Sequence, residues 1–272
     1  MEGKMRKFLV CLALASIAIG MVALPAQAAT KKVFNSVPAQ LPGNVASVGF
    51  EATQTDAIGD EIRLAPGMRK LKKVAIVMSS WACETGSWTA GCDTTQGATF
   101  NETIKLTLYR VNTGDPNLPG AVIASRKRTF AIPFRPSADP TDCSANPTRW
   151  YSSKDDACYN GKAFKIVFEF SGLKLPDELV YGVSYNTSTS GDQPHGTRPC
   201  QSTVEGCPDD SLNVGAEAGL PARGTDVYPD GVFVDQQTGG DCASDATVPD
   251  EFSLDACNWH GFNPLVALKV KA

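Results

Sequence analysis

A chain of 272 residues with only two histidines has little to build a Ser/His/Asp arrangement from: His195 lies in GDQPHGTRP and His260 in NWHGFNP. Both segments are Gly/Pro-rich loops, where a solvated imidazole is the ordinary state. Patterns that announce other chemistries are missing, with no G-x-S-x-G elbow, H-E-x-x-H helix, Walker loop or G-x-G-x-x-G turn. Glycoside hydrolysis asks for less, two carboxyl groups across a cleft, and Glu84, Asp93, Asp155, Asp156, Glu169, Glu178, Asp209 and Asp210 are candidates. Almost all stand in polar loops, and none in an apolar surrounding that would raise its pKa for acid catalysis. The residues point to a non-enzymatic protein, with an extracellular, glycosidase-like hydrolase using loop carboxylates as the alternative.

The tryptophans carry more information. Trp81 precedes Cys83 by two residues, Trp88 lies between Cys83 and Cys92, Trp150 lies between Cys143 and Cys158 with Tyr151 beside it, and Trp259 follows Cys257 by two. A loop tied down by a disulfide can present an aromatic face at small entropic cost, which is how a protein stacks a sugar ring or anchors a partner. Trp88, Trp150 and Tyr151 are the candidate binding residues on this ground, with an extracellular glycan or protein as the expected partner. Packing over the neighbouring disulfide is the competing role, strongest for Trp81 and Trp259.

Leaving Cys11 aside, the cysteines form four neighbouring couples, Cys83 with Cys92, Cys143 with Cys158, Cys200 with Cys207 and Cys242 with Cys257, each within one polar segment. Sequential disulfides are the simplest reading. There is no C-x-x-C, and neither histidine stands at ligand spacing from a couple, so a zinc site is not expected. No cofactor is expected either. A structural calcium ion would draw on Asp226, Asp230, Asp235, Asp241 and Asp245, but no D-x-D-x-D-G loop is present, and solvated turn aspartates are the favoured reading.

Compartment follows from the first 28 residues. Lys4, Arg6 and Lys7 precede an apolar run from Phe8 to Leu24, which ends at Pro25 and the small-x-small site Ala26-Gln27-Ala28. That is the pattern of a signal peptide, and it would carry Cys11 away with it. The formal charge of −4 becomes more negative once this basic segment is removed. An acidic chain with no basic stripe has no counterion-release drive towards nucleic acid. Nothing after residue 28 is long and apolar enough to span a bilayer. The expected location is secreted.

These loops need elements to hold them, and the pattern is β throughout. Phe164, Ile166, Phe168 and Phe170 alternate with Lys165 and Glu169, then Leu179, Tyr181, Val183 and Tyr185 alternate after the break at Pro176-Asp177. The stretch Lys162 to Thr187 thus reads as a hairpin with a wide aromatic face, which demands a second sheet against it. Other strands are expected at 45–53, 61–64, 71–81, 100–111, 121–134, 211–217, 231–234 and 265–271, with Ile58-Gly59-Asp60 as a turn. Leu71 to Trp81 is apolar on both faces and reads as a central strand. The triplet Arg126-Lys127-Arg128 reads as a solvated or edge position. No stretch has helical apolar spacing. The expectation is a single antiparallel β-sandwich, jelly-roll-like, over 44–272, with long disulfide-tied loops, after a lead-in at 29–43.

The succession LKKVAIVMSSW, IKLTLYRVNTGDPNLPGAVIAS and FKIVFEFSGLKLPDELVYGVSYNT resembles a class of exported bacterial β-sandwich modules of jelly-roll or galactose-binding-like fold. The resemblance covers about residues 45–190 and rests on strand and turn signatures. It implies fold and export and brings no catalytic residues. The cysteine-rich loops and the lack of a C-terminal sorting tail depart from that class.

Overall fold

The computed structural model describes residues 29–50, 55–89, 91–185, 212–236, 251–256 and 258–272. All regular structure among them is β. The first strands are β1 (Thr30–Asn35), β2 (Ser47–Gly49), β3 (Thr55–Arg63), β4 (Lys70–Ser80), β5 (Thr85–Ser87) and β6 (Gly91–Asp93). The middle of the chain forms β7 (Thr99–Val111), β8 (Pro119–Pro133), β9 (Trp150–Ser152), β10 (Ala157–Tyr159), β11 (Lys162–Lys174) and β12 (Glu178–Ser184). The last are β13 (Leu212–Ala218), β14 (Thr225–Asp226), β15 (Val232–Gln236), β16 (Ser253–Asp255), β17 (Phe262–Pro264) and β18 (Val266–Lys271).

Two antiparallel sheets pack face to face. One runs β1-β18-β4-β11, with β13 beside the far end of β4 and carrying β2 and β17; the other runs β16-β15-β3-β12-β7-β8, with β14 on β3. Their longer strands follow the jelly-roll order, two Greek keys wrapped around one core. Ile58, Ile62, Ile104, Leu106 and Tyr181 from one sheet meet Ile76, Met78, Phe168 and Leu268 from the other in that core. The alternation that the sequence shows at Ile166, Phe168 and Phe170 is the inward face of β11, and Phe168 meets Phe130 of β8 edge-on with ring centroids 5.2 Å apart.

The stretch Lys162 to Thr187 is not a hairpin. β11 pairs with β4 in one sheet and β12 with β3 and β7 in the other. The segment between them bridges the sheets: the Leu175 N–H donates to the Arg69 carbonyl ahead of β4, and the Asp177 carbonyl accepts from the Leu64 N–H after β3. β12 is buried on both faces because Val180 is covered from outside by Phe233 and Leu254, so it needs a neighbour on each side. Three other expectations change. Part of the lead-in is β1, whose Val33 and Phe34 are buried. Of the expected strand at 45–53, the described residues 45–50 hold the short strand Ser47–Gly49, and 51–53 lie outside the described residues. Ile58-Gly59-Asp60 is not a turn but the middle of β3.

The basic triplet lies on β8, an edge strand, as expected. Its arginines also close the seam to the edge strand opposite. Arg126 stands 5.1 Å from the Phe170 ring, and Arg128 stands 4.9 Å from the Phe130 ring and donates to the Val167 carbonyl at 3.2 Å. Among the described residues no helix is long and apolar enough to cross a membrane.

Candidate functional site

Two loops meet at the end of the sandwich where β4 finishes and β11 begins. The first carries the β5–β6 hairpin, closed by Cys83–Cys92 with Cα atoms 5.4 Å apart; the second carries β9–β10, closed by Cys143–Cys158 at 5.8 Å. Both couples are those expected from their spacing. Cys200, Cys207, Cys242 and Cys257 lie outside the described residues, as do His195, Asp209, Asp210, Asp241 and Asp245.

Hydrogen bonds stitch the two loops into one body. The Ala138 N–H donates to the Cys92 carbonyl at 2.9 Å, and Ser137 Oγ donates to Asp93 Oδ1 at 3.1 Å while accepting the Thr94 N–H at 2.9 Å. Arg135 is wholly buried beneath them, its N–H on the Ala82 carbonyl and its Nη2 on the Thr148 carbonyl at 2.6 Å; burial pushes its pKa down to about 10. The loop carboxylates are tied as well. Glu84 accepts the Thr95 N–H, Asp155 accepts the Gly43 N–H and the Ser152 hydroxyl, and Asp156 accepts the Tyr151 hydroxyl.

Aromatic rings cover this base. Half-buried Trp81 donates its Nε1–H to Ser79 Oγ and meets half-buried Trp88 edge-on at 4.9 Å. Trp150 is 8 % exposed, donates Nε1–H to the Gly161 carbonyl at 2.7 Å and leans on Tyr159 at 5.6 Å. Two glycines let the rings lie on backbone: a Cβ on Gly161 would stand 2.3 Å from the Trp81 ring, and one on Gly43 would stand 2.7 Å from the Tyr159 ring. Of the three candidate binding residues, Trp88 and Tyr151 are half-buried with faces left over, whereas Trp150 is a packing residue under the loop. Trp259 sits in the core and donates to Asp255.

A second feature lies between the sheets. A pocket of about 180 Å³ is lined by Phe34, Ser36, Asp60, Glu217, Asp226 and Asn263 among others. β3 turns Asp60 inwards between Ile58 and Ile62, opposite Tyr181 of β12. β14 sets Asp226 across from Ile62, where it accepts the Tyr228 N–H and an Asn263 Nδ2–H from β17. Burial, and then the charge of Asp226, hold the Asp60 carboxyl well above its ordinary range; burial pushes Asp226 up to about 6. Sequence reasoning named Asp226 as a calcium candidate but missed Asp60, reading it as part of a turn and finding no acid in apolar surroundings. The signal was present in AIGDEIRL, where an inward register puts Asp60 on the same face as Ile58 and Ile62.

No protein-family model matches this chain, and comparison with curated proteins and with solved structures finds no match either.

Proposed function

We propose that this is a secreted, non-enzymatic jelly-roll protein that binds an extracellular ligand, carbohydrate first, through the end bearing the two disulfide-tied loops. One observation carries the reading: two loops fused by cross-bonds present the half-exposed rings of Trp81, Trp88, Tyr151 and Tyr159 on a base that cannot easily move. Such rings offer an amphipathic contact face with little entropy left to lose. The two disulfides fit an oxidising compartment, which supports reading 1–28 as a signal peptide. Loop carboxylates engaged as acceptors by backbone and hydroxyl donors serve architecture, which favours binding at this end over hydrolysis there.

A glycan array together with affinity electrophoresis in cell-wall polysaccharides tests this. Wild type should be retarded by at least one polysaccharide, and Trp88→Ala should lose the retardation with an unchanged unfolding midpoint. Trp150→Ala should instead lower stability by about 3–5 kcal/mol, as truncation of a buried ring does. Absence of any retarding glycan, or a Trp88→Ala protein that behaves as wild type, removes the carbohydrate reading.

A further inference from the structure

We propose that the pocket between β3, β14 and β17 is a calcium site, held by the carboxylates of Asp60 and Asp226 and the side-chain oxygen of Asn263. These residues are 2 %, 7 % and 6 % exposed, so each oxygen has given up most of its water. Asp60 Oδ1 and Asn263 Oδ1 nevertheless have no hydrogen-bond partner. A buried acceptor left unpaired bears its full desolvation cost, and two on residues that line one pocket call for a shared electron-poor guest. The orientation of the amide is fixed by chemistry: Asn263 Nδ2 faces Asp226 and donates to it, since the reverse would press two oxygens together. Its Oδ1 is therefore the free end.

The charge around the pocket agrees. Glu217 lines it as well, and among the described residues no lysine, arginine or histidine does. Donors that are all oxygen select a hard cation and disfavour zinc. Calcium fits better than magnesium, because donors fixed on three strands of two sheets impose an irregular shell where magnesium demands an octahedron. Among the described residues no three His, Cys, Asp or Glu side chains converge. With two carboxylates and one amide the affinity belongs in the weak class of extracellular modules, Kd on the order of 10⁻⁴–10⁻³ M. Since Asp60 and Asp226 belong to one sheet and Asn263 to a strand of the other, the ion would clamp the sandwich across its open side.

Thermal unfolding of the full chain in chelator, 10 mM calcium chloride and 10 mM magnesium chloride tests the site. Calcium should raise the wild-type Tm by on the order of 3–6 °C, magnesium by much less, and Asp60→Asn and Asp226→Asn should show no calcium-dependent rise, while Glu169→Gln on the outer surface keeps it. A wild-type Tm that ignores calcium, a rise that magnesium reproduces, or a rise that survives in both variants overturns the proposal. Should either neutral variant fail to fold, Asn263→Asp takes its place by supplying a third carboxylate. Isothermal titration should then show calcium binding tightened severalfold, and unchanged affinity counts against the site as firmly as a flat Tm. The inference does not rest on the carbohydrate reading, which uses other residues at another place.

Discussion

Glu61 stands one pleat from Asp60 and faces away from the pocket, yet it too is buried. Burial first, then its hydrogen bond with Glu178 and the charge of that residue, push its pKa up to about 7, against the pull of Arg63. Asp226 is raised to about 6 by burial. Both folded values lie above the ordinary 4.5 and 3.8, so the stability these groups contribute is complete in acid and lost as pH climbs through 6 and 7. In chelator, the urea midpoint should therefore be higher at pH 5 than at pH 8, and Glu61→Gln should narrow the gap. If the gap is the same in both proteins, Glu61 is not the strained acid described here. None of this was legible from residue type. Asp60 follows a glycine and reads as a turn residue, Glu61 as the start of a strand, and only the register of β3 shows that one points into the core and the other under Tyr228 and Glu178. The tryptophans beside the disulfides show the opposite case: their closeness to cysteines was plain, but which ring lies under the loop and which on it depends on Gly43 and Gly161, whose bare backbones receive Trp150, Tyr159 and Trp81.

Strands reveal themselves by alternation, and partners do not. β11 was readable because its inward residues are aromatic and its outward ones charged, and the difference can be measured. Phe168→Ala removes a side chain 2 % exposed and should cost about 3–5 kcal/mol by denaturant unfolding, whereas Lys165→Ala, on the outward face of the same strand, should change stability by no more than about 0.5 kcal/mol. Comparable mild losses would mean that β11 is not half-buried. What alternation could not tell is that β11 and β12 separate into different sheets. The sign of that in the sequence was the second face of β12, where Val180 and Gly182 interleave with the aromatic positions; Gly182 leaves the space that the Phe252 ring occupies. A strand with no polar face belongs in the interior of a sheet, which rules out an outlying hairpin. β1 was missed because its apolar residues Val33 and Phe34 are adjacent and do not alternate, and β16 because three residues show too few periods to count.

At the scale of the molecule, loop ties and sheet order are independent constraints. Non-reducing peptide mapping should return Cys83–Cys92 and Cys143–Cys158 as in the structure, together with Cys200–Cys207 and Cys242–Cys257; a crossed pair such as Cys92 with Cys143 would break the scheme of one tie per loop. Short ties of this kind restrain loops, but they do not bring distant strands together. That task falls to β18, which lies inside its sheet with β1 on one side and β4 on the other, Thr30 paired with Lys271 and Ala29 accepting a hydrogen bond from the Ala272 N–H. Time enters here. During synthesis β1 precedes the other described strands and its partner β18 follows them, so this sheet stays split until β18 is made. Contacts this remote in sequence make folding slow, and the chain remains threadable for as long as it is incomplete, which suits a protein proposed to cross a membrane before it folds.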